Sequence, residues 1–224
     1  MNRLVVLILI LSSALLFTEN ALAQRILGGI SLGANLTQVD GDELYGFHKV
    51  GLNVGPMVAI PFGKNKNWSV SMELLYSQKG SYHGSSVDSL KYKLVQDYAE
   101  IPVLLHFTDR KIISGGVGFS YGQLINYKET HSPFFDSLYK PQTPLSNNDI
   151  SVIADLQIRI WYRLWANVRY QYSMKSNRTV IVTDPNNPKN PDTRDQYNNV
   201  ISIRLTWMFN QEANTKRKYK QESE

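Results

Sequence analysis

From residue 26 onward, the sequence alternates between apolar residues and small or polar residues with a period of two. This period is typical of a β-strand with one apolar face. In the second such segment, Val50, Leu52 and Val54 alternate with Gly51 and Asn53. The pattern occurs in eight segments, which begin near Ile26, Val50, Trp68, Val95, Ile113, Ile150, Leu164 and Ile201. Each is long enough for the roughly 9–11 tilted residues that cross a bilayer, and an even number favours a closed antiparallel barrel.

The connections between these segments alternate in length. The short ones lie at 61–67, 109–110 and about 163, and the long ones at 37–48, 80–90, 125–148 and 177–196. Outer-membrane barrels have short periplasmic turns and longer extracellular loops. The alternation therefore predicts that both termini lie on the periplasmic side.

The polar face decides between a membrane barrel and a soluble, lipocalin-like barrel. It carries mostly Gly, Ser and Asn, which suit the inside of a narrow barrel better than a solvated outer surface. The apolar face also carries aromatic residues at both ends, as expected for membrane interfaces. Trp68, Phe107, Tyr162, Trp207 and Phe209 lie at the short-turn end, and Tyr76, Tyr121, Tyr170 and Tyr172 lie toward the long-loop end.

The N-terminus has the features of a secretory signal peptide. Arg3 gives a positive start, an apolar run follows to Phe17, and Ala21 and Ala23 occupy the positions that a signal peptidase reads. We predict a signal peptide over 1–23, a barrel over 24–209 and a polar periplasmic tail over 210–224. The chain has no cysteine, which excludes disulfides and a lipoprotein anchor. The net charge of +5 lies partly in the tail, so it gives no argument for nucleic-acid binding.

Four motifs resemble the PorT-like family of outer-membrane β-barrel proteins. They are residues 72–80 (MELLYSQKG), residues 98–105 (YAEIPVLL), residues 33–36 (GANL) followed by 40–42 (DGD), and residues 115–118 (GGVG). The resemblance covers nearly the whole mature chain, except the connections at 125–148 and 177–196. It implies an all-β fold, an eight-stranded antiparallel transmembrane barrel like OmpX or OmpA, rather than a particular activity.

Several charged residues fall on the face predicted to point inward. They are Glu73, Glu100, Asp155, Arg159, Arg169 and Arg204. Charges inside so narrow a barrel must pair, because an isolated buried charge is very costly. We predict a structural network that fills the lumen. A polar path for a solute or proton is the alternative, although eight strands leave room for little more than side chains.

No catalytic, cofactor or metal site is predicted. His83, with Ser81, Ser85, Ser86 and Asp88 nearby, keeps open a lipid-modifying hydrolase. Tyr127, Phe134, Phe135 and Tyr139 in the connection 125–148 indicate a surface for a partner.

The leading hypothesis is a non-enzymatic barrel of the cell outer membrane. It acts in binding, envelope maintenance or secretion-related assembly through extracellular loops. Its expected partners are outer-membrane lipid, the barrel-assembly machinery and a protein at those loops. A lipid-modifying hydrolase and a narrow channel remain the alternatives.

Overall fold

The computed structural model of the chain describes residues 26–42, 46–84, 92–133, 139–161, 163–183 and 191–210. The predicted signal peptide (1–23) and residues 211–224 of the predicted tail lie outside these ranges. The strands are β1 (Leu27–Asp40), β2 (Lys49–Phe62), β3 (Trp68–Glu73), β4 (Leu75–His83), β5 (Tyr92–Asp109), β6 (Ile113–His131), β7 (Tyr139–Pro141), β8 (Asn148–Arg159), β9 (Leu164–Ser173), β10 (Arg178–Val182) and β11 (Asp192–Met208).

The strands form a closed antiparallel ring. β3 and β4 are one barrel strand interrupted at Leu74, whose N–H still donates to the carbonyl of Pro56 (3.0 Å). β11 pairs with β1 from Gly29–Met208 to Asp40–Tyr197, and this pairing closes the sheet. The ring therefore has eight strands, which confirms the predicted all-β barrel. Closure satisfies the backbone groups that would otherwise be costly in a bilayer.

The alternation read from the sequence decides which side chains point into the ring. Along β2, Lys49, Gly51 and Asn53 are buried, whereas Val50 and Leu52 are exposed on the outer face. The apolar side chains therefore form the outside of the barrel, as predicted. Among the described residues, no helix is long and apolar enough to cross a membrane.

The two ends of the ring differ. At one end, called the turn end, β2–β3, β5–β6 and β8–β9 are joined by short turns. In the β5–β6 turn, the N–H of Ile112 donates to the carbonyl of Asp109 (3.0 Å), with Arg110 and Lys111 both at positive φ. This is the type I′ geometry that matches the twist of paired strands.

At the other end, called the loop end, the structure corrects the predicted connections. Much of the sequence read as loop at 80–90, 125–148 and 177–196 continues as strand: β4 runs to His83, β6 to His131, and β10 pairs with β11 and β7. We call residues 92–97, 124–131, 139–141, 178–182 and 192–197 the crown. Inside it lies a small apolar core of Val39, Tyr92, Leu94, Tyr139 and Val180.

Candidate functional site

The middle of the barrel holds a network of ion pairs. Arg169 donates to both carboxylate oxygens of Glu73 (2.7 and 3.2 Å) and through Nε to Asp155 (2.8 Å). Arg204 donates through Nη1 to Glu73 (2.7 Å). All four side chains are nearly completely buried. Two guanidinium groups thus meet two carboxylates, so the charges balance and the lumen is filled at this level.

Glycine makes room for this network. A Cβ on Gly33 would lie 2.2 Å from the carbonyl oxygen of Ile203 and 2.7 Å from Cγ of Arg204. Any larger residue there would displace the backbone of β11 or the Arg204 side chain. The small-residue face read from the sequence is therefore what allows two arginines to fit inside eight strands.

A second charged cluster lies closer to the loop end. Lys79 contacts Glu100 and donates to Asp149 (2.9 Å), and all three are buried. Asp149 also accepts hydrogen bonds from Ser173 (2.7 Å) and Asn198 (3.1 Å). Together with the central network, this cluster occupies the lumen over successive levels.

The structure therefore brings together Glu73, Asp155, Arg169 and Arg204, and places Glu100 in the neighbouring cluster. Arg159 departs from the prediction. Its guanidinium lies at the turn end, 4.9 Å from the ring centre of Trp165. Within the described residues it pairs with no carboxylate, and its Nε is buried without a hydrogen-bond partner. As the last residue of β8, it is too far toward the turn end to join the central network.

Two residues of these clusters were missed by sequence reasoning. Lys79 lies just before the loop predicted to begin at Gly80 and was not assigned to the inward face, although continuing the alternation past Ser77 places it inside. Asp149 was assigned to the inward face but left out of the network. For Lys79 the signal was the period of two extended past Ser77, and for Asp149 it was the inward position itself.

A cavity of about 390 Å³ opens between the network and the turn end. Its two sides differ. One is apolar and is formed by Leu27, Met57, Ala59, Trp165 and Met208; the other is polar and is formed by Ser69, Ser71, His106, Thr108, Ser114 and Gln157. Pro61, Asn65 and Asn67 also line it, together with the cations Lys66, Lys111 and Arg159, and none of its described lining residues is Asp or Glu.

At the boundary between cavity and network lie a serine, a histidine and an aspartate. Ser71 Oγ is 3.0 Å from Nε2 of His106, and Nδ1 of His106 is 3.9 Å from Oδ2 of Asp155. The second distance exceeds a hydrogen bond, and Asp155 is already bound by Arg169. Ser71 lies in a strand paired on both sides, opposite Ala59 and Leu104. Among the described residues, the backbone N–H groups beside Ser71 are therefore engaged in the sheet and are not free to stabilise an oxyanion, as acyl transfer requires.

The His83 arrangement considered from the sequence lies only partly within the described residues. Ser85, Ser86 and Asp88 are outside them. Ser81 is buried in the barrel, and His83 ends β4.

The crown is held by a further ion pair that the sequence analysis did not predict. Arg178 donates to both carboxylate oxygens of Glu129 (2.7 and 2.9 Å) and to the hydroxyls of Tyr92 (2.9 Å) and Tyr139 (3.1 Å). Its Nε donates to Gln196 (2.7 Å). Burial alone would raise the pKa of Glu129, but the hydrogen bonds and charge of Arg178 outweigh it and lower that pKa below its usual value. Arg178 thus joins β10 to β5, β6, β7 and β11.

The aromatic residues predicted to form girdles lie on the outer face. Trp68, Phe107, Trp207 and Phe209 are exposed near the turn end, with the rings of Trp68 and Phe107 5.0 Å apart. Toward the loop end, Tyr121 and Tyr170 are exposed and Tyr76 and Tyr172 are partly buried. Tyr162 lies outside the described residues. Of the residues predicted to form a partner surface, Tyr127 is exposed, Tyr139 is buried, and Phe134 and Phe135 are not described.

Comparison with known families agrees with this architecture. A family model described as an outer membrane protein beta-barrel domain matches residues 19–179. The chain belongs to this family. The barrel is accordingly an outer-membrane protein. Membership in the PorT-like family is not shown by this match. A comparison with curated proteins finds no match.

Several solved outer-membrane barrels are similar in structure. Ail, the attachment invasion locus protein of Yersinia pestis, is 14% identical and has a TM-score of 0.45, with 82% of this chain and 98% of that chain covered. OprG from Pseudomonas aeruginosa is 11% identical, with a TM-score of 0.37 and coverage of 82% and 94%. The outer membrane protease OmpT from Escherichia coli is 11% identical, with a TM-score of 0.34 and coverage of 84% and 98%. Likenesses at this level give no information about activity.

Proposed function

We propose that this protein is a non-enzymatic outer-membrane barrel that binds a protein partner through the crown. The observation that carries the proposal is the internal order of the crown. A barrel that only had to close could end its strands near the loop-end aromatic residues. Here β5 and β6 continue beyond that level and pair with each other as far as Tyr92 and His131. The crown also has its own apolar core and its own ion pair, in which Arg178 is buried and Glu129 is partly buried.

The outer surface of the crown supports a binding role. Ile125 and Tyr127 on β6 are 61% and 53% exposed. Beyond Gln123, β6 pairs with β5 but not with β8, so one edge of this stretch has no strand partner among the described residues. An edge strand with exposed apolar side chains is a template for adding an extended segment of another protein.

The lumen supports the non-enzymatic part of the proposal and argues against conduction. The central network and the Lys79 cluster fill successive levels, and eight strands leave no wider path around them. The Ser71–His106 pair lacks an aligned aspartate and free oxyanion donors. We expect no covalent labelling of Ser71 by a fluorophosphonate probe, and labelling that a Ser71→Ala change abolishes would overturn this part of the proposal.

We propose further that the loop end is extracellular and that both termini are periplasmic. A role in envelope maintenance or secretion-related assembly through the loop end is part of this proposal. The chain contains no cysteine, so single cysteines report orientation without a background signal. We expect a membrane-impermeant maleimide to label Tyr127→Cys on intact cells, and to label Lys66→Cys only after the outer membrane is permeabilised. The reverse pattern would refute the orientation.

The partner is tested by photo-crosslinking in native outer membrane. A photoreactive amino acid replaces Tyr127 (53% exposed), and in a second strain it replaces Trp161, a more exposed aromatic residue at the turn end (67%). We expect a discrete crosslinked protein from position 127 that disappears when Ile125 is changed to Asp. Crosslinks only to lipid, or the same product from both positions, would contradict binding through the crown.

A further inference from the structure

The turn-end cavity combines three properties that neither a packed interior nor a simple solvent inlet requires. Its volume of about 390 Å³ lies within the range of roughly 300–1,000 Å³ that is usual for small-molecule sites. One side is apolar, with Met57, Trp165 and Met208 packed together. The opposite side presents hydroxyl, imidazole and amide groups. A cavity with both kinds of wall suits a molecule that has an apolar body and a polar group.

The charge of the cavity is unbalanced. Lys66, Lys111 and Arg159 line it, and no carboxylate of the described residues does. The nearest interior carboxylates, Glu73 and Asp155, are taken up by Arg169 and Arg204. At the turns, Asp109 pairs with its exposed neighbour Arg110. The three cations of the lining thus have no anionic partner within the described part of the barrel.

Arg159 is the best placed of the three for holding an anion. Its guanidinium is positioned by the Trp165 ring 4.9 Å away. Its buried Nε has no hydrogen-bond partner among the described residues, and a buried donor left unpaired is costly. Arg159 lines the cavity, so an oxyanion there would accept from the part of its guanidinium group that borders the cavity. Arginine also matches the planar, two-oxygen geometry of a carboxylate.

The backbone at the other two cations is a separate observation. Within the described residues, the non-glycine residues with positive φ are Lys66, Arg110 and Lys111. Lys111 occupies a central position of the type I′ turn, where Asn and Gly are strongly preferred. Left-handed geometry costs about 1–2 kcal/mol for an ordinary residue. Lys66 and Lys111 therefore stand in unfavourable conformations at the lining of the cavity, which is expected when the side chain rather than the turn is needed.

From these observations we infer that the turn-end cavity binds a small organic anion, one carboxylate joined to an apolar body. The apolar body lies against Met57, Trp165 and Met208. The carboxylate accepts from Arg159, and Lys66 and Lys111 add to the positive potential. The inference is independent of the crown and of the orientation of the barrel, because it rests only on the lining of the cavity.

The test uses 4-phenylbutyrate as the probe and 4-phenylbutanol as its uncharged analogue. The full-length barrel is placed in nanodiscs, with empty nanodiscs as the blank, and binding is measured by isothermal titration calorimetry. We expect saturable binding of 4-phenylbutyrate with a stoichiometry near one and much weaker binding of the alcohol. Binding no stronger than to empty nanodiscs, or equal binding of both compounds, would overturn the inference.

Variants then locate the site. Arg159→Gln should weaken binding by roughly tenfold or more, since a hydrogen bond to a charged group contributes about 1.5–3 kcal/mol. Ala59→Phe should block the cavity with its larger side chain and abolish binding. Lys140→Gln removes an exposed cation at the loop end and should leave binding unchanged. Equal affinity in wild type and Ala59→Phe would show that the probe binds elsewhere and would contradict the inference.

Lys111→Asn separates a binding role from a structural one. Asn suits the type I′ position, so the turn should be at least as stable as in wild type, measured by urea unfolding. Binding of 4-phenylbutyrate should nevertheless fall severalfold, and the loss should shrink in high salt because salt screens exposed charges. Unchanged affinity in this variant would show that Lys111 does not contribute to the proposed site.

Discussion

The central network and the crown both contain an arginine bound to a glutamate, but the two pairs stand in different surroundings. Around Glu73, Arg169 and Arg204, a closed ring of strands fixes every backbone position. Around Glu129 and Arg178, the sheet is open and ends at the short edge strand β7, whose one strand partner among the described residues is β10. The strands that carry the Glu73 ion pair are held in place by the closed ring itself, without the ion pair. The Glu129–Arg178 pair itself holds the strands of the crown together, because Arg178 joins five of them.

This difference teaches that the same interaction has different consequences in the two regions. Loss of the central pair should lower the stability of the whole barrel. Loss of the crown pair should loosen the crown and leave the barrel intact. The two regions can therefore be perturbed separately.

The largest effect is expected for Glu73→Gln. The change leaves Arg169 and Arg204 buried with only Asp155 between them, and removing one partner of a buried ion pair typically costs about 3–5 kcal/mol. The free energy of unfolding is measured by urea titration in lipid vesicles. In the double variant Glu73→Gln/Arg204→Met, the remaining Arg169–Asp155 pair is again balanced, so part of the loss should be recovered. Strict additivity of the two changes would contradict a coupled network.

A smaller and local effect is expected for Arg178→Gln. Hydrogen bonds to charged groups contribute about 1.5–3 kcal/mol, and this change removes those to Glu129, Tyr92 and Tyr139. Hydrogen exchange followed by mass spectrometry should show faster exchange in β7 and β10. The amides of β8 and β9 serve as the internal reference and should not change. Faster exchange throughout the ring would show that crown and barrel are one cooperative unit.

The crown should also respond to acid. Because Arg178 lowers the pKa of Glu129 in the folded protein, the pair stabilises the crown above the unfolded-state pKa of about 4.3. This stabilisation is lost as the pH falls through the lower, folded-state pKa. We expect faster hydrogen exchange of β10 at pH 3 than at pH 6, after correction for the intrinsic rate. In Glu129→Gln this extra acceleration should be absent; its persistence would assign the acid response to another group.

The smallest effect is expected for the pair of Arg194 and Asp192 on β11. Nε of Arg194 lies 2.7 Å from Asp192, but both side chains are accessible (36% and 62%). Exposed ion pairs contribute about 0–1 kcal/mol. Arg194→Ala should therefore change the exchange rate of the crown by less than Arg178→Gln does. A comparable effect would mean that the crown is stabilised by its surface charges rather than by its core.

The fold was largely predictable because the period of two is a local property. Val50 and Gly51 face opposite sides whatever the rest of the chain does, so the eight strands and their inner faces followed from the sequence. The loop end was less predictable. Gly80 was read as the start of a loop, but it has a φ of +132° and lies within β4, where its lack of a side chain allows the carbonyl of Leu94 to approach. Glycine gave the same local signal for a turn and for a close approach.

The interior contacts were predictable in kind but not in detail. Burial of Glu73 and Arg169 in a narrow barrel required partners. Which groups pair depends on the stagger of the strands around the ring, and this brings Glu73 of β3 against Arg169 of β9 across the lumen. For Arg159, the alternation predicted the inward face but not the level along the barrel. Its position at the end of β8 gives it Trp165 as a neighbour rather than a carboxylate. The crown ion pair depends on β10 folding back along β11, which no local pattern indicated.

The pairing of β1 with β11 has a consequence for how the chain reaches its final state. The first and last strands of the barrel are neighbours, and they are fastened by the side chain of Asn210, which accepts from the N–H of Gly28 (3.0 Å) and donates to the carbonyl of Ile26 (2.6 Å). The final ladder of backbone hydrogen bonds thus joins residues separated by most of the sequence, and contacts of such separation form slowly. Until β11 arrives, β1 and β9 are two unpaired edges, which are prone to aggregate in water and costly in lipid. β11 is therefore the strand that closes the ring, and a chain shortened before Asp192 should be held by chaperones or degraded rather than inserted.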